Sequence, residues 1–179
     1  MRTRPFVFPM VYVTSVVLLL SARSYGQQPA QVSAQDAGFD TFLSALERAT
    51  DRFVNGDPTR WKQLCSQSDD ATILGGFGGY EKGWREVGPR YDWASAQFKA
   101  SGAKKKFEYV SKVVRGDLAY TVTIERADEL WAGQDKATAQ ALRVTQIYRR
   151  ENGDWKLLHR HADPYLEKKA PTLTPPGKP

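Results

Sequence analysis

Ala141-Leu142-Arg143-Val144-Thr145-Gln146-Ile147-Tyr148-Arg149-Arg150 and Trp155-Lys156-Leu157-Leu158-His159-Arg160-His161-Ala162 flank the pair Asn152-Gly153. Asn-Gly is what a two-residue turn between antiparallel strands selects, because both turn positions need positive φ. The flanks are rich in β-branched and aromatic residues, so they read as the two strands of a hairpin. Asp163-Pro164 is expected to stop the second strand.

Upstream of the hairpin the same pattern continues. Leu118 to Arg126 alternates, with Leu118, Tyr120, Val122 and Ile124 set against Ala119, Thr121, Thr123 and Glu125. Phe107 to Val114 is a further strand, Gly116-Asp117 a turn, and Ala132 to Thr138 a loop. Helical spacing takes over before that. Phe39, Phe42, Leu43, Leu46, Phe53 and Val54 mark one apolar face, which Asn55-Gly56 ends. Asp57-Pro58 opens a short second helix, with Asp57 as N-cap and Trp61, Leu64 and Cys65 on its buried side. Ala71 to Leu74 is a short strand running into the turn Gly75 to Gly79. Glu81 to Ala100 has a helical pattern, with a kink expected at Gly88-Pro89. Helix, helix, strand, helix and an antiparallel meander make an α+β fold, in which a curved antiparallel sheet wraps around the N-terminal helices.

Both ends of the chain lie outside that pattern. Arg2 and Arg4, the apolar run Phe6 to Leu20, and the small residues Ser21, Ala22, Ser24 and Gly26 follow the order of a secretory signal peptide, so residues 1–26 are expected to be removed on export. Residues 27–38 read as a flexible leader, 39–164 as the single domain, and 165–179 as a proline-rich disordered tail. The expected location is periplasmic or secreted, with no membrane association after signal cleavage. Removing Arg2, Arg4 and Arg23 takes Lys+Arg from 26 to 23 against 20 acidic residues. That balance is too mild for a nucleic-acid partner, and the run Lys104 to Lys106 reads as solvated. A single cysteine, Cys65, excludes an intrachain disulfide and Cys-rich zinc sites, and its helix setting points to a buried thiol. No cofactor motif is present: Gly75-Gly76-Phe77-Gly78-Gly79 lacks the lysine and hydroxyl that close a phosphate loop.

Several stretches resemble a known family. Gly56-Asp57, Asp70 to Gly79 and Gly83-Trp84 resemble the front half of SnoaL-like proteins. Arg143 to Arg150 and Asn152 to Asp163 resemble their back half, and are also similar to the end of the association domain of calcium/calmodulin-dependent kinase II. The resemblance spans about Phe39 to Pro164. It implies the NTF2-like cone-shaped barrel, an internal pocket, and a homodimer formed through the sheet. It implies little about chemistry, since this superfamily hosts isomerases, dehydratases, cyclases and non-catalytic modules.

Candidate site residues follow from the strands. Period two places Trp155, Leu157, His159, His161 and Asp163 on one face of the last strand. The two histidines, the only ones in the chain, are then about 6.5–7 Å apart by strand rise. His161 as base, oriented by Asp163, with His159 beside it, is the arrangement that proton transfer needs. The same residues also fit a polar wall without chemistry. Arg143 suits a carboxylate or an interface, and Glu125 a second acid/base or a solvated edge. Tyr148 lies on the hairpin strand beside them. Trp84, Tyr91 and Trp93, on the helix expected to cover the pocket, suit a flat apolar ligand, although Tyr91 also fits plain core. No metal site is expected. Three functions fit: a binder of a small, partly apolar or aromatic molecule, a cofactor-independent isomerase, dehydratase or cyclase, and a dimerisation module. The alternation defines two faces of the sheet and leaves open which one lines the pocket.

Overall fold

The computed structural model describes residues 34–168, with side chains from Gly38 onward. The expected signal peptide, the first part of the expected leader and the expected tail beyond residue 168 lie outside the described residues.

Among the described residues, three helices lie against one sheet. Helix α1 spans Ala34–Phe53 and takes in Ala34 to Gly38, expected as part of the leader; Ala34, Gln35 and Ala37 are good helix formers that extend it. Helix α2 is Thr59–Leu64, where the Asp57 carboxylate accepts the Thr59 amide at 3.0 Å. Strand β1 is Thr72–Leu74, and β2, Glu81–Lys82, is a short strand that the sequence reading had placed in a helix. Helix α3 runs unbroken from Trp84 to Ser95 with Pro89 inside it, not as two segments. An added Cβ at position 88 would lie 3.2 Å from the Trp84 ring, tighter than ordinary contact, so glycine there eases the folding of that ring back on its own helix.

The meander follows as β3, Lys106–Arg115, β4, Leu118–Glu129, β5, Thr138–Glu151, and β6, Asp154–Pro164, which runs through Asp163 instead of stopping before it. Asn152 and Gly153 take φ of 52° and 92°, the positive pair that the hairpin turn demands. The curved, unclosed sheet has the order β2-β1-β6-β5-β4-β3. It is mixed, not purely antiparallel, because β1 lies parallel to β6.

Two side-chain rows define the faces of the sheet. Ala119, Thr121, Thr123, Glu125 and Glu129 of β4 are buried beneath the helices, while Leu118 and Tyr120 point outward and stay exposed. The polar members of the alternation therefore face the interior. On β6 the single period breaks. Ile147 pairs with His159, but its neighbour Tyr148 pairs with Leu157, so Leu158 is an extra, unpaired residue. A bulge of this kind reverses the alternation after it and bends the strand. Trp155 and Leu157 face the helices before the bulge, and Arg160 and Ala162 face them after it. His159, His161 and Asp163 are thereby turned to the outer face, which corrects the expectation that all five odd-numbered residues share one side.

Candidate functional site

The interior of the curve holds a cavity of about 150 Å³, bounded by the three helices, the loop after β1 and the inner rows of β5 and β6. Most of its wall is apolar or aromatic. Phe53 comes from α1 and Val54 from the turn after it, Trp61 from α2, Tyr91 and Ala94 from α3, Ile73 from β1, and Leu142 and Ala162 from the sheet. Trp61 packs edge-on against Tyr91 with ring centres 5.8 Å apart, and Phe53 packs against both.

One side of this cavity is charged. Arg160 and Lys105 reach it, as does Glu129, and Glu125 stands behind them. Arg160 donates from Nη1 and Nη2 to the two oxygens of Glu125, each at 2.8 Å. Lys105 Nζ lies 2.9 Å from Glu129 Oε1 and 3.6 Å from Glu125 Oε2. Burial pushes the Glu125 pKa up, but the Arg160 and Lys105 cations outweigh it and hold this carboxyl below its ordinary value of 4.5. The same pairing raises Arg160 further, against the effect of burial. Arg160 also lies over the Trp61 ring at 5.5 Å.

Local sequence explains how a lysine reaches this depth. Asn55, at the end of α1, accepts the amides of Ser101 and Gly102 and donates to the carbonyl of Ala103 at 2.8 Å. Asp51 accepts the amide of Lys105 at 2.9 Å. The connector from α3 to β3 is thus pinned to α1, and Lys105 enters the cavity wall while Lys104 and Lys106 stay toward solvent.

The residues singled out from sequence are scattered by this arrangement. Tyr91 lines the cavity. Glu125 is 1% exposed, a buried ion-pair partner and not a solvated edge. Tyr148 is buried on the inner face but away from the cavity, sharing a hydrogen bond with Thr121 and donating to Gln146 Oε1 at 2.8 Å. Trp84 packs on the core and is not part of the cavity wall, and Trp93 is exposed near its mouth. His161 Nε2 lies 3.3 Å from Asp163 Oδ2, and Arg143 lies 3.9 Å from the same oxygen, but this group is on the outer face. His159 is also outside, its Nδ1 hydrogen-bonded with Thr72 Oγ1 at 2.8 Å; burial and then the nearby His161 lower its pKa. Cys65 is buried, and desolvation raises its thiol to about 12.

Sequence reading missed Arg160, Lys105 and Glu129. The spacing of Glu125 and Glu129 on one strand places both on one face, a signal that could have paired them. The mouth was also missed. Phe77, Phe98 and Trp131 meet there, with Phe77 edge-on to Trp131 at 5.3 Å and Phe98 against Trp131 at 5.1 Å.

A family model for the SnoaL-like domain matches residues 43–165. The chain belongs to the SnoaL-like family. Its fold is that of the NTF2-like superfamily, as solved structures show. An NTF2-like superfamily protein from Salmonella enterica serovar Typhimurium LT2 is 18% identical with a TM-score of 0.62, over 73% of this chain and 91% of that one. A putative dehydratase of the NTF2-like family from Streptomyces avermitilis is 21% identical with a TM-score of 0.58, over 73% and 96%. A putative calcium/calmodulin-dependent protein kinase type II association domain from Thiobacillus denitrificans is 16% identical with a TM-score of 0.53, over 73% and 94%. At these identities the likeness carries the fold alone. No curated protein matches the chain.

Proposed function

We propose that this SnoaL-like domain, exported by its N-terminal segment, binds a neutral molecule about the size of one ring that carries a carbonyl or similar acceptor. The observation behind this is the charge balance of the cavity. Arg160 is paired with Glu125, Lys105 with Glu129, and Arg90 lies 3.6 Å from Glu81. Among the described residues of the cavity wall no cation is left over for an anionic ligand, and burying an unpaired charge is strongly unfavourable. Arg160 and Lys105 retain N–H donors beyond those pairs, which suits a polar tip on an apolar body. An apolar cavity of about 150 Å³ is known to accept benzene, so the volume fits one ring. Titration of the purified protein with acetophenone and with benzoate, followed by saturation-transfer NMR and calorimetry, tests the reading. Acetophenone should bind, and benzoate at least about tenfold more weakly. Equal or tighter binding of benzoate would overturn it.

Acid–base catalysis is the second reading, favoured by one observation: Glu129 is a carboxylate on the cavity wall itself. Glu125 is a poor base because both its oxygens serve Arg160, and the His161–Asp163 pair is outside the cavity. Proton abstraction next to the carbonyl would show as exchange of acetophenone methyl protons with heavy water, lost in Glu129→Gln.

We also infer that a second copy of the chain covers the outer face of the sheet. Leu118, Tyr120 and Ile147 are large, apolar and exposed there, and the partly buried Val122 and Ile124 continue the β4 row beyond Tyr120. Arg143 and Asp163 are neighbours on that face, so a two-fold related copy would meet each charge with its opposite. Light-scattering mass across concentration tests this.

A further inference from the structure

We propose that Phe77 is the door of the cavity and sets the size of ligand it admits, with Arg90 as the latch of the loop that carries it; this rests on the binding reading above. Phe77 sits in the loop between β1 and β2, at the tip of Gly75-Gly76-Phe77-Gly78-Gly79. It forms part of the cavity wall, yet 40% of its surface remains exposed. Trp93 and Trp131 meet its ring edge-on at 5.5 and 5.3 Å, one from α3 and the other from the segment after β4. A side chain held between two elements on one side and solvent on the other closes an entrance; it does not fill a core.

The loop is fastened lightly. Gly78 donates its amide to the Gly75 carbonyl at 2.9 Å, which makes the turn. The fixed point outside the loop is Arg90, whose Nη2 donates to the Gly78 carbonyl at 2.7 Å. Arg90 is itself placed by the Trp93 ring, 4.5 Å from its guanidinium carbon, and by Glu81. The same guanidinium thus holds the loop and steadies the aromatic surface that Phe77 closes against. Gly78 and Gly79 have φ of 82° and 71°, which other residues adopt only with strain. Gly76 packs its backbone over Leu142 of the cavity wall, where an added Cβ would lie 3.4 Å from Leu142 Cδ2. Glycine on both sides of Phe77 gives the loop backbone freedom to lift. With the door shut the cavity holds one ring; with Phe77 absent, the space between Trp93 and Trp131 joins it.

The test compares dissociation constants for acetophenone and 2-acetylnaphthalene, which share a carbonyl and differ by one fused ring. The parent should prefer acetophenone by at least about tenfold, and Phe77→Ala should abolish or invert that preference. A ratio unchanged by Phe77→Ala overturns the proposal. Binding of neither probe to either protein would count against the binding reading and leave the door to a measurement without ligand. That measurement is 19F NMR of 5-fluorotryptophan-labelled protein, with Trp93 and Trp131 assigned by Trp93→Phe and Trp131→Phe. Opening predicts exchange broadening of both resonances, increased by Arg90→Met and removed by Phe77→Ala. Sharp lines in the parent that Arg90→Met leaves unchanged would show that no door moves.

Discussion

Arg160 on β6 and Glu125 on β4 form a two-bond pair that passes over the intervening strand, β5. Their register positions differ as well: Arg160 is level with Gln146 on β5, and Glu125 with Leu142. The long guanidinium arm leans along the sheet past Val144 and Ala162, both buried between them. Curvature brings the inner row of β4 within reach, and the bulge at Leu158 points Arg160 inward. The charged side of the cavity therefore depends on one extra residue in the last strand.

Breaking this pair should be far more harmful than replacing it. Glu125→Gln leaves buried Arg160 without its carboxylate, and Arg160→Met leaves Glu125 with only the more distant Lys105, so each should lower stability by about 3–5 kcal/mol. The double change Glu125→Leu with Arg160→Met should recover a good part of that loss, because apolar replacement of a buried pair is often neutral. Chemical denaturation of the three variants and the parent gives the comparison. A double variant as unstable as the sum of the single ones would contradict the argument.

Acid should reveal the same pair. Glu125 is held below its ordinary pKa of 4.5, so the folded protein binds fewer protons than the unfolded chain just below that pH. Its contribution to stability is complete above about pH 4.5 and fades as the pH falls through the folded value. The parent should lose stability more steeply in that window than Glu125→Leu/Arg160→Met. Identical slopes would mean that Glu125 is not ionised in the fold.

Much of the architecture was legible because it depends on local chemistry. Asn152-Gly153 fixes a turn, and the alternation of Leu118 to Arg126 fixes a strand, whatever lies elsewhere in the chain. The cavity was not legible, for two physical reasons. Period-two reasoning assumes an unbroken ladder, and nothing in Trp155 to Asp163 announces that Leu158 will be left out of it. The usual rule that the apolar row faces inward also fails on β4, where Thr121, Thr123 and Glu125 are buried and Tyr120 is 41% exposed. A sheet with helices inside its curve and an apolar row outside has two faces to cover, and sequence alone does not say which partner covers which. Lys105 was hidden for a different reason. Its depth depends on Asn55 and Asp51, which are distant in sequence and act on its backbone.

Trp155 opens β6 ahead of the bulge and faces the helices. It is buried against Phe39 with ring centres 5.0 Å apart, and Arg150 lies over its ring at 4.8 Å. Trp155→Ala should cost about 3–5 kcal/mol, the range for emptying a large aromatic site. Thermal unfolding gives the answer directly, and an unchanged melting temperature would show that the site collapses without penalty.

His159 should make stability depend on pH in a higher window. Its folded pKa lies below the ordinary 6.5, because partial burial and then His161 disfavour its charged form. Ile147 on β5 and Thr72 on β1 flank it in register, and neither adds a charge. The benefit of keeping it neutral is present above about pH 6.5 and is lost as the pH falls through the folded value. Melting temperatures from about pH 8 to about pH 5 should decline in the parent and decline less in His159→Gln. Parallel curves would assign the decline to other groups.

The outer face supplies the final prediction. If a second copy covers it, a charge placed at its centre must be buried without a partner when the copies meet, which weighs heavily against association. Tyr120 and Ile147 are directly paired on β4 and β5 and project from the same side. Tyr120→Lys and Ile147→Lys should each convert a dimeric parent to monomer in light scattering, while circular dichroism keeps its shape because neither side chain supports the interior. Acetophenone binding should survive in both variants, since the cavity lies on the other face of the sheet. Loss of cavity binding together with the dimer would mean that the two faces are coupled through β4 and β5. A parent that stays monomeric at the highest soluble concentration would leave the apolar row uncovered by a second copy and refute the assembly proposal.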